Sequence, residues 1–254
     1  MTFCLGIRVK EGLVALADTQ IVKGNERLNK AKITLFTCGT RQFFLMTSGL
    51  RSVRDKMVIY LEEQLSKQGQ AYERLYQVVN VCGEQVRRVW SEDAAALSRS
   101  GFVFNLHAII GGQLHADPTP TLFYLYPEGN WIEAAADTPY FVVGRTPYSK
   151  PILDRFLSVD TSLRTAIGLA YLAFDATRIS VIDVDFPIDL LVLDSLGQQI
   201  RQHRFTADML SPTREWWQQR LQAALEELPL LWAAPLLQGN VENLISEEMH
   251  DESD

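Results

Sequence analysis

Threonine at position 2, directly behind Met1, carries a hydroxyl and, once Met1 is removed, an α-amine on the same residue. The unperturbed pKa of such an amine, about 7.7 to 8.0, makes it a base near neutrality for that hydroxyl. One residue would then supply nucleophile and base together. The surrounding stretch "MTFCLGIRVKEGLVALAD" reads as a hairpin. With the turn near Glu11, position 2 lies roughly opposite 20 and position 18 roughly opposite 4, so Thr2 and the Asp18 carboxylate become diagonal neighbours on one face.

Holding such a pair requires a rigid scaffold, and the hydrophobic periodicity outlines one. Phe3, Leu5, Ile7 and Val9 alternate with Thr2, Cys4, Gly6 and Arg8, the period of a strand. "LVALAD" follows as a strand covered on both faces, and "KITLFTC" and "RQFFLMT" form a second hairpin across Gly39-Thr40. After Ser48-Gly49 the period turns helical, with stripes through Val53, Met57, Tyr60, Leu61 and Leu65 and then Leu75, Val78, Val79, Cys82, Val86 and Val89. A break at Gln68-Gly69-Gln70 separates two long helices that end near Leu97. Strands return in "FVFNLHAIIGG", "TLFYLY", "WIEAAA" and "YFVVG". Helices over 150–156 and 161–177 come next, the latter N-capped by Asp160. "IDLLVLD" and "QQIRQHRF" then pair around Gly197, and a last helix carries Trp217, Leu221, Ala224, Leu225 and Leu228.

This order predicts an α+β fold in which two stacked antiparallel sheets lie between helix layers, a four-layer αββα sandwich. The expected domain covers 1–228 and includes the last helix, with 229–254 an extension whose acidic end, "SEEMHDESD", is expected to be disordered.

Composition narrows the chemistry. A net charge of −7 over 254 residues, with the basic residues scattered, argues against a nucleic-acid or anionic-membrane surface. Cys4, Cys38 and Cys82 are odd in number and lack CxxC spacing, which suggests neither a disulfide framework nor a zinc site and fits a reducing cytoplasm. Arg8, Lys10 and Glu11 interrupt any signal-peptide core, and "LPLLWAAPLL" is too short for a membrane span. His107, His115, His203 and His250 lack metal-ligand spacing, and no nucleotide-binding loop occurs, so no cofactor is expected. Arg51 and Arg54 stand where they could meet an acidic substrate, or simply line a helix face.

"MTFCLGIRVKEGLVALADTQ", "KITLF", "TSG", "VVGRTPYSKPILDR" and "FDATRIS…FPIDLLVL" together resemble the N-terminal nucleophile hydrolases of the proteasome β type, most closely the bacterial Anbu family. The resemblance implies the αββα fold and a threonine-type peptidase or amide hydrolase acting on peptide or protein as a homo-oligomer of many subunits. It leaves an unfoldase partner open. Residue by residue it implies Thr2 as nucleophile, Asp18 as the carboxylate that binds the catalytic lysine, and Lys32 as that lysine. Gly49 would donate its backbone N–H to the oxyanion, Asp175 would be the carboxylate near the threonine amine, and Ser180 would be the serine that follows.

Two positions depart from the pattern: Arg145 after Gly144, and Arg178 where proteasome subunits carry serine. Each residue also has a plainer reading. Thr2 suits a strand and permits methionine removal, Lys32 could be an edge charge with Lys30 as its rival, Gly49 could mark a turn, and Asp175 could end a helix. The corresponding alternative function is an assembly subunit with weak catalysis or none.

Overall fold

Val9 and Gly12 close the first hairpin in the computed structural model, which describes residues 2–23, 26–195 and 199–236. Only Lys10 and Glu11 lie in the turn, so β1 (Phe3–Val9) and β2 (Gly12–Asp18) pair Cys4 with Ala17. That is one residue from the expected register. It brings Phe3 rather than Cys4 to Asp18.

Two short polar strands follow, β3 (Gln20–Lys23) and β4 (Glu26–Asn29), which form a small sheet of their own. They have no apolar alternation to announce them. The second hairpin is as expected: β5 (Ile33–Cys38) and β6 (Arg41–Gly49) join across Gly39-Thr40. The long helices are α1 (Arg51–Gln68) and α2 (Leu75–Arg99). Strands β7 (Leu106–Gly112), β8 (Thr121–Leu125), β9 (Trp131–Glu133) and β10 (Tyr140–Gly144) come next. β7 starts four residues later than Phe102, the first residue of its apolar stretch; Phe102 and Val103 are exposed in the preceding loop.

Helix α3 (Lys150–Phe156) precedes α4 (Leu163–Ser180). The cap of α4 is Ser162, whose Oγ accepts the Thr165 N–H at 3.1 Å, while the expected cap, Asp160, faces Lys10 Nζ at 2.5 Å. β11 (Ile188–Asp194) and β12 (Ile200–Phe205) complete the strands; the turn expected at Gly197 lies outside the described residues.

The first sheet runs β10-β1-β2-β11-β12 and the second β5-β6-β7-β8-β9, each antiparallel throughout. Between them pack Cys4, Ala15, Ile33, Phe44, Met46, Ile109 and Leu122. Successive residues of β6 point opposite ways, so Phe43 and Leu45 join Met57, Leu61, Val79 and Val86 beneath α1 and α2 while Phe44 and Met46 face the other sheet. Burial on both faces explains the unbroken apolar run "FFLM". On the far side α4 covers β1 and β2, with the Phe3 and Phe174 rings 6.1 Å apart. The result is the α+β, four-layer αββα sandwich of the N-terminal nucleophile hydrolases.

The chain divides into two units, Met1–Ala207 and Asp208–Asp254, and the sandwich belongs to the first. The second contains α5 (Ser211–Glu226) and a short 3-10 turn at Leu231–Leu236. The domain boundary was expected after residue 228, beyond the last helix; α5 instead falls in the second unit. The acidic end lies outside the described residues. Among the described residues no helix is long and apolar enough to cross a membrane.

Candidate active site

Thr2 sits immediately before β1, and its backbone is held from the neighbouring strand: the Arg145 N–H donates to the Thr2 carbonyl at 3.0 Å. Gly144, opposite Phe3, makes this approach feasible. Its φ is +93°, and a Cβ there would lie 1.8 Å from the Thr2 carbonyl oxygen. Any side chain at 144 would therefore displace Thr2.

Asp18 ends β2 and is fully buried. Its Oδ1 accepts two hydrogen bonds, from the Phe3 N–H at 2.7 Å and from Lys32 Nζ at 2.6 Å. Lys32 lies just before β5, with its side chain only 9% exposed. Burial pushes the Asp18 carboxyl above its ordinary value, opposed by the charge and hydrogen bond of Lys32 and by the backbone amides of Phe3 and Gln20. Nearby Cys4 is no rival nucleophile. Burial drives its thiol up to about 12, where almost no thiolate exists at neutrality.

Thr2, Lys32 and Gly49 line one cleft of about 650 Å³. Gly49 ends β6 with φ +138°, and a Cβ there would lie 2.2 Å from the Asn105 carbonyl oxygen. The chain can leave the sheet and enter α1 at this point only without a side chain. The Thr2 hydroxyl makes no hydrogen bond among the described residues, which leaves it available to an incoming group.

Asp175 and Ser180 are not among the residues lining the cleft. Asp175, buried on α4, accepts from Arg178 Nη2 at 2.9 Å and Nε at 3.3 Å, and Arg178 also lies over the Phe186 ring. Ser180 is exposed at the end of α4. Both departures from the resemblance thus face carboxylates: Arg178 holds Asp175, and Arg145 Nε stands 3.7 Å from Asp183.

The cleft also takes in Lys30, the rival of Lys32 along the sequence, Arg51 and Arg54, which could meet an acidic substrate or line a helix face, and His107, which has no metal-ligand spacing. His107 faces Ser48 across β6 and β7, and its Nδ1 is 3.0 Å from Tyr124 Oη. Burial lowers its pKa against the raising influence of Glu128. Strand position alone does not mark it, since Leu106 and Ala108, which pair with Gly49 and Thr47, turn into the core instead.

A family model for the proteasome subunit matches residues 2–183. The chain belongs to the proteasome subunit family. Among solved structures it is similar to Anbu, the ancestral β-subunit, from Yersinia bercovieri, at 30% identity and TM-score 0.80 over 89% of this chain and 97% of that one. Anbu from Hyphomicrobium sp. strain MC1 matches at 32% identity and TM-score 0.79, again over 89% and 97%. The helical assembly of the Anbu complex from Pseudomonas aeruginosa gives 30% identity and TM-score 0.82 with the same coverage. A search of curated proteins finds no match. The segment matched by the proteasome subunit family holds Thr2, Asp18, Lys32, Gly49, Asp175 and Ser180, whereas α5 lies beyond it.

Proposed function

We propose that the protein is a cytoplasmic threonine-type peptidase or amide hydrolase whose nucleophile, Thr2, is exposed by removal of Met1. The observation that carries this reading is the Asp18–Lys32 ion pair, 2.6 Å long and nearly closed to solvent, at a cleft that Thr2 also lines. Thr2 Oγ would form an ester bond to the substrate carbonyl carbon as the amide C–N bond breaks. The hydroxyl proton would pass through the freed α-amine to the leaving nitrogen. Lys32 would stabilise the developing alkoxide, and the Gly49 N–H the oxyanion. Water would then cleave the ester and restore the hydroxyl.

Self-assembly belongs to the same proposal. In the second unit Trp216, Leu221 and Leu225 of α5 and Trp232 beyond it are exposed, and in the first, separately, Trp90 of α2; each offers apolar area suited to subunit contacts. The helical assembly of the Pseudomonas aeruginosa Anbu complex supports it. A second reading, an assembly subunit with weak or no catalysis, draws on one observation: Asp175 is bound by Arg178.

Intact mass of the purified particle separates the two. The hydrolase requires a mass lower by one methionine together with cleavage of fluorogenic peptides. A chain that retains Met1 throughout and cleaves nothing supports the assembly reading.

The acid side of the activity profile supplies a further check. Lys32 is held by ionised Asp18, and burial raises the folded Asp18 pKa above its ordinary 3.8. On acidification this carboxylate therefore takes up its proton earlier than an exposed one would. Because the folded form binds that proton more readily than the unfolded chain, Asp18 protonation does not itself unfold the protein. We expect turnover to fall with a midpoint above that of an exposed aspartate while the particle stays assembled. Loss of activity that simply follows unfolding, measured by light scattering and circular dichroism, would contradict the assignment.

A further inference from the structure

The cleft beside Thr2 is basic in an acidic protein. Four of its lining residues, Lys30, Lys32, Arg51 and Arg54, are cationic and none is a carboxylate, although the whole chain carries −7. Lys32 is neutralised by Asp18. The other three share a single counter-charge, Asp55 on α1, whose Oδ1 accepts from Arg54 Nη1 at 2.7 Å and whose Oδ2 accepts from Arg51 Nε at 3.2 Å. Burial acts to raise the Asp55 pKa, but the hydrogen bond and charge of Arg54, the hydrogen bond of Arg51 and the field of Lys30 hold it lowered. Among the described residues the wall thus has two positive charges in excess.

The geometry is also pre-set. Arg54 Nη2 donates to Thr34 Oγ1 at 3.0 Å, and with Asp55 this fixes the guanidinium while its other N–H donors take no partner among the described residues. Lys30 is exposed and makes no ion pair among the described residues. α1 starts at this wall with no side-chain cap and no acidic residue in its first turn, so its dipole adds to the same sign.

We propose that this wall selects substrates bearing an aspartate or glutamate side chain next to the carbonyl that Thr2 attacks. A carboxylate there can take bidentate bonds from Arg54 and a charge contact from Lys30. Glutamine, of the same shape, leaves the excess charge unanswered. A lysine is repelled.

The inference rests on Thr2 as the nucleophile, so its test has one arm without turnover. In the assembled Thr2→Ala particle, fluorescein-labelled peptide amides ending in Glu-NH2, Gln-NH2 or Lys-NH2 are compared by anisotropy. The Glu peptide is expected to bind at least about tenfold more tightly than the Gln peptide, by an amount that shrinks with added salt. In the wild-type particle, kcat/KM for fluorogenic peptides should follow the same order. Lys30→Glu with Arg51→Glu, both at exposed positions, should invert the preference toward lysine; Arg54→Met should reduce it if the particle assembles. Equal binding of the three peptides, or a preference that the double variant leaves unmoved, overturns the inference. Wild-type cleavage that favours leucine or lysine overturns it while leaving the nucleophile assignment intact. Glu-selective binding without any cleavage supports the wall and sinks the hydrolase reading instead.

Discussion

Replacing Thr2 by alanine is expected to lower peptide hydrolysis by about four orders of magnitude or more, the scale on which loss of a covalent nucleophile acts. The substitution is well suited to separate chemistry from folding. Alanine is also small, so methionine removal proceeds and the α-amine survives. The carbonyl of residue 2 still accepts the Arg145 N–H, and the lost hydroxyl takes no described hydrogen bond with it. Thr2→Ser keeps a hydroxyl on the same atom chain and should retain part of the rate. The measurement is turnover of a fluorogenic peptide by particles of verified mass, with assembly followed by light scattering. Wild-type rates from Thr2→Ala would end the nucleophile assignment. Loss of assembly in that variant would instead mark residue 2 as structural.

The sandwich and the cleft were legible in the sequence to different degrees. Periodicity located the long elements because their burial is one-sided or complete: α1 and α2 bury a stripe, and β6 is apolar on both faces. The hairpin register was off by one because apolar alternation does not say whether a turn holds two residues or three, and here Lys10 and Glu11 alone suffice. The start of α4 went to Ser162 because Asp160 has a partner from β1's turn, Lys10, that no local pattern reveals. β3 and β4 are four residues each, too short to leave a periodic trace.

At the site, the hairpin that carries Thr2 and Asp18 was legible but their same-face pairing was not, since the observed register sets Asp18 against Phe3, whose N–H it accepts; the lysine came from the resemblance. The surroundings of Asp175 and the basic wall could not be read. Arg178 is one turn of α4 from Asp175, so its pairing is local, but helix spacing alone does not distinguish a solvated arginine from one folded over a carboxylate. Along the chain Arg51 and Arg54 could equally meet an acidic substrate or line a helix face, and spacing does not choose between the two. Only the placement of β6 and of the segment carrying Lys30 makes them a wall.

Lys32→Ala is expected to cost at least roughly a hundredfold in turnover, the range of a single positioned electrostatic or acid–base group. The difficulty is that this lysine is also half of a buried ion pair. Removing it leaves Asp18 fully buried without its cation, a defect worth about 3–5 kcal/mol when the charge cannot relax. Asp18 has a way to relax, since burial already favours its protonated form and its Oδ1 can keep the Phe3 N–H bond. The single variant should therefore assemble, with reduced stability. A double variant, Lys32→Met with Asp18→Asn, removes both charges and keeps the volume, so it should recover stability relative to Lys32→Ala. If the ammonium acts on the threonine hydroxyl, the double variant assembles well and stays inactive. Were Lys32 needed only to pair with Asp18, the same variant would regain turnover along with stability, and lysine-assisted attack would have to be given up. Lys30 offers the complementary comparison, because it lines the cleft without touching Asp18. Its replacement should change which peptides are preferred, through KM for acidic substrates, whereas Lys32 should act on kcat for all of them.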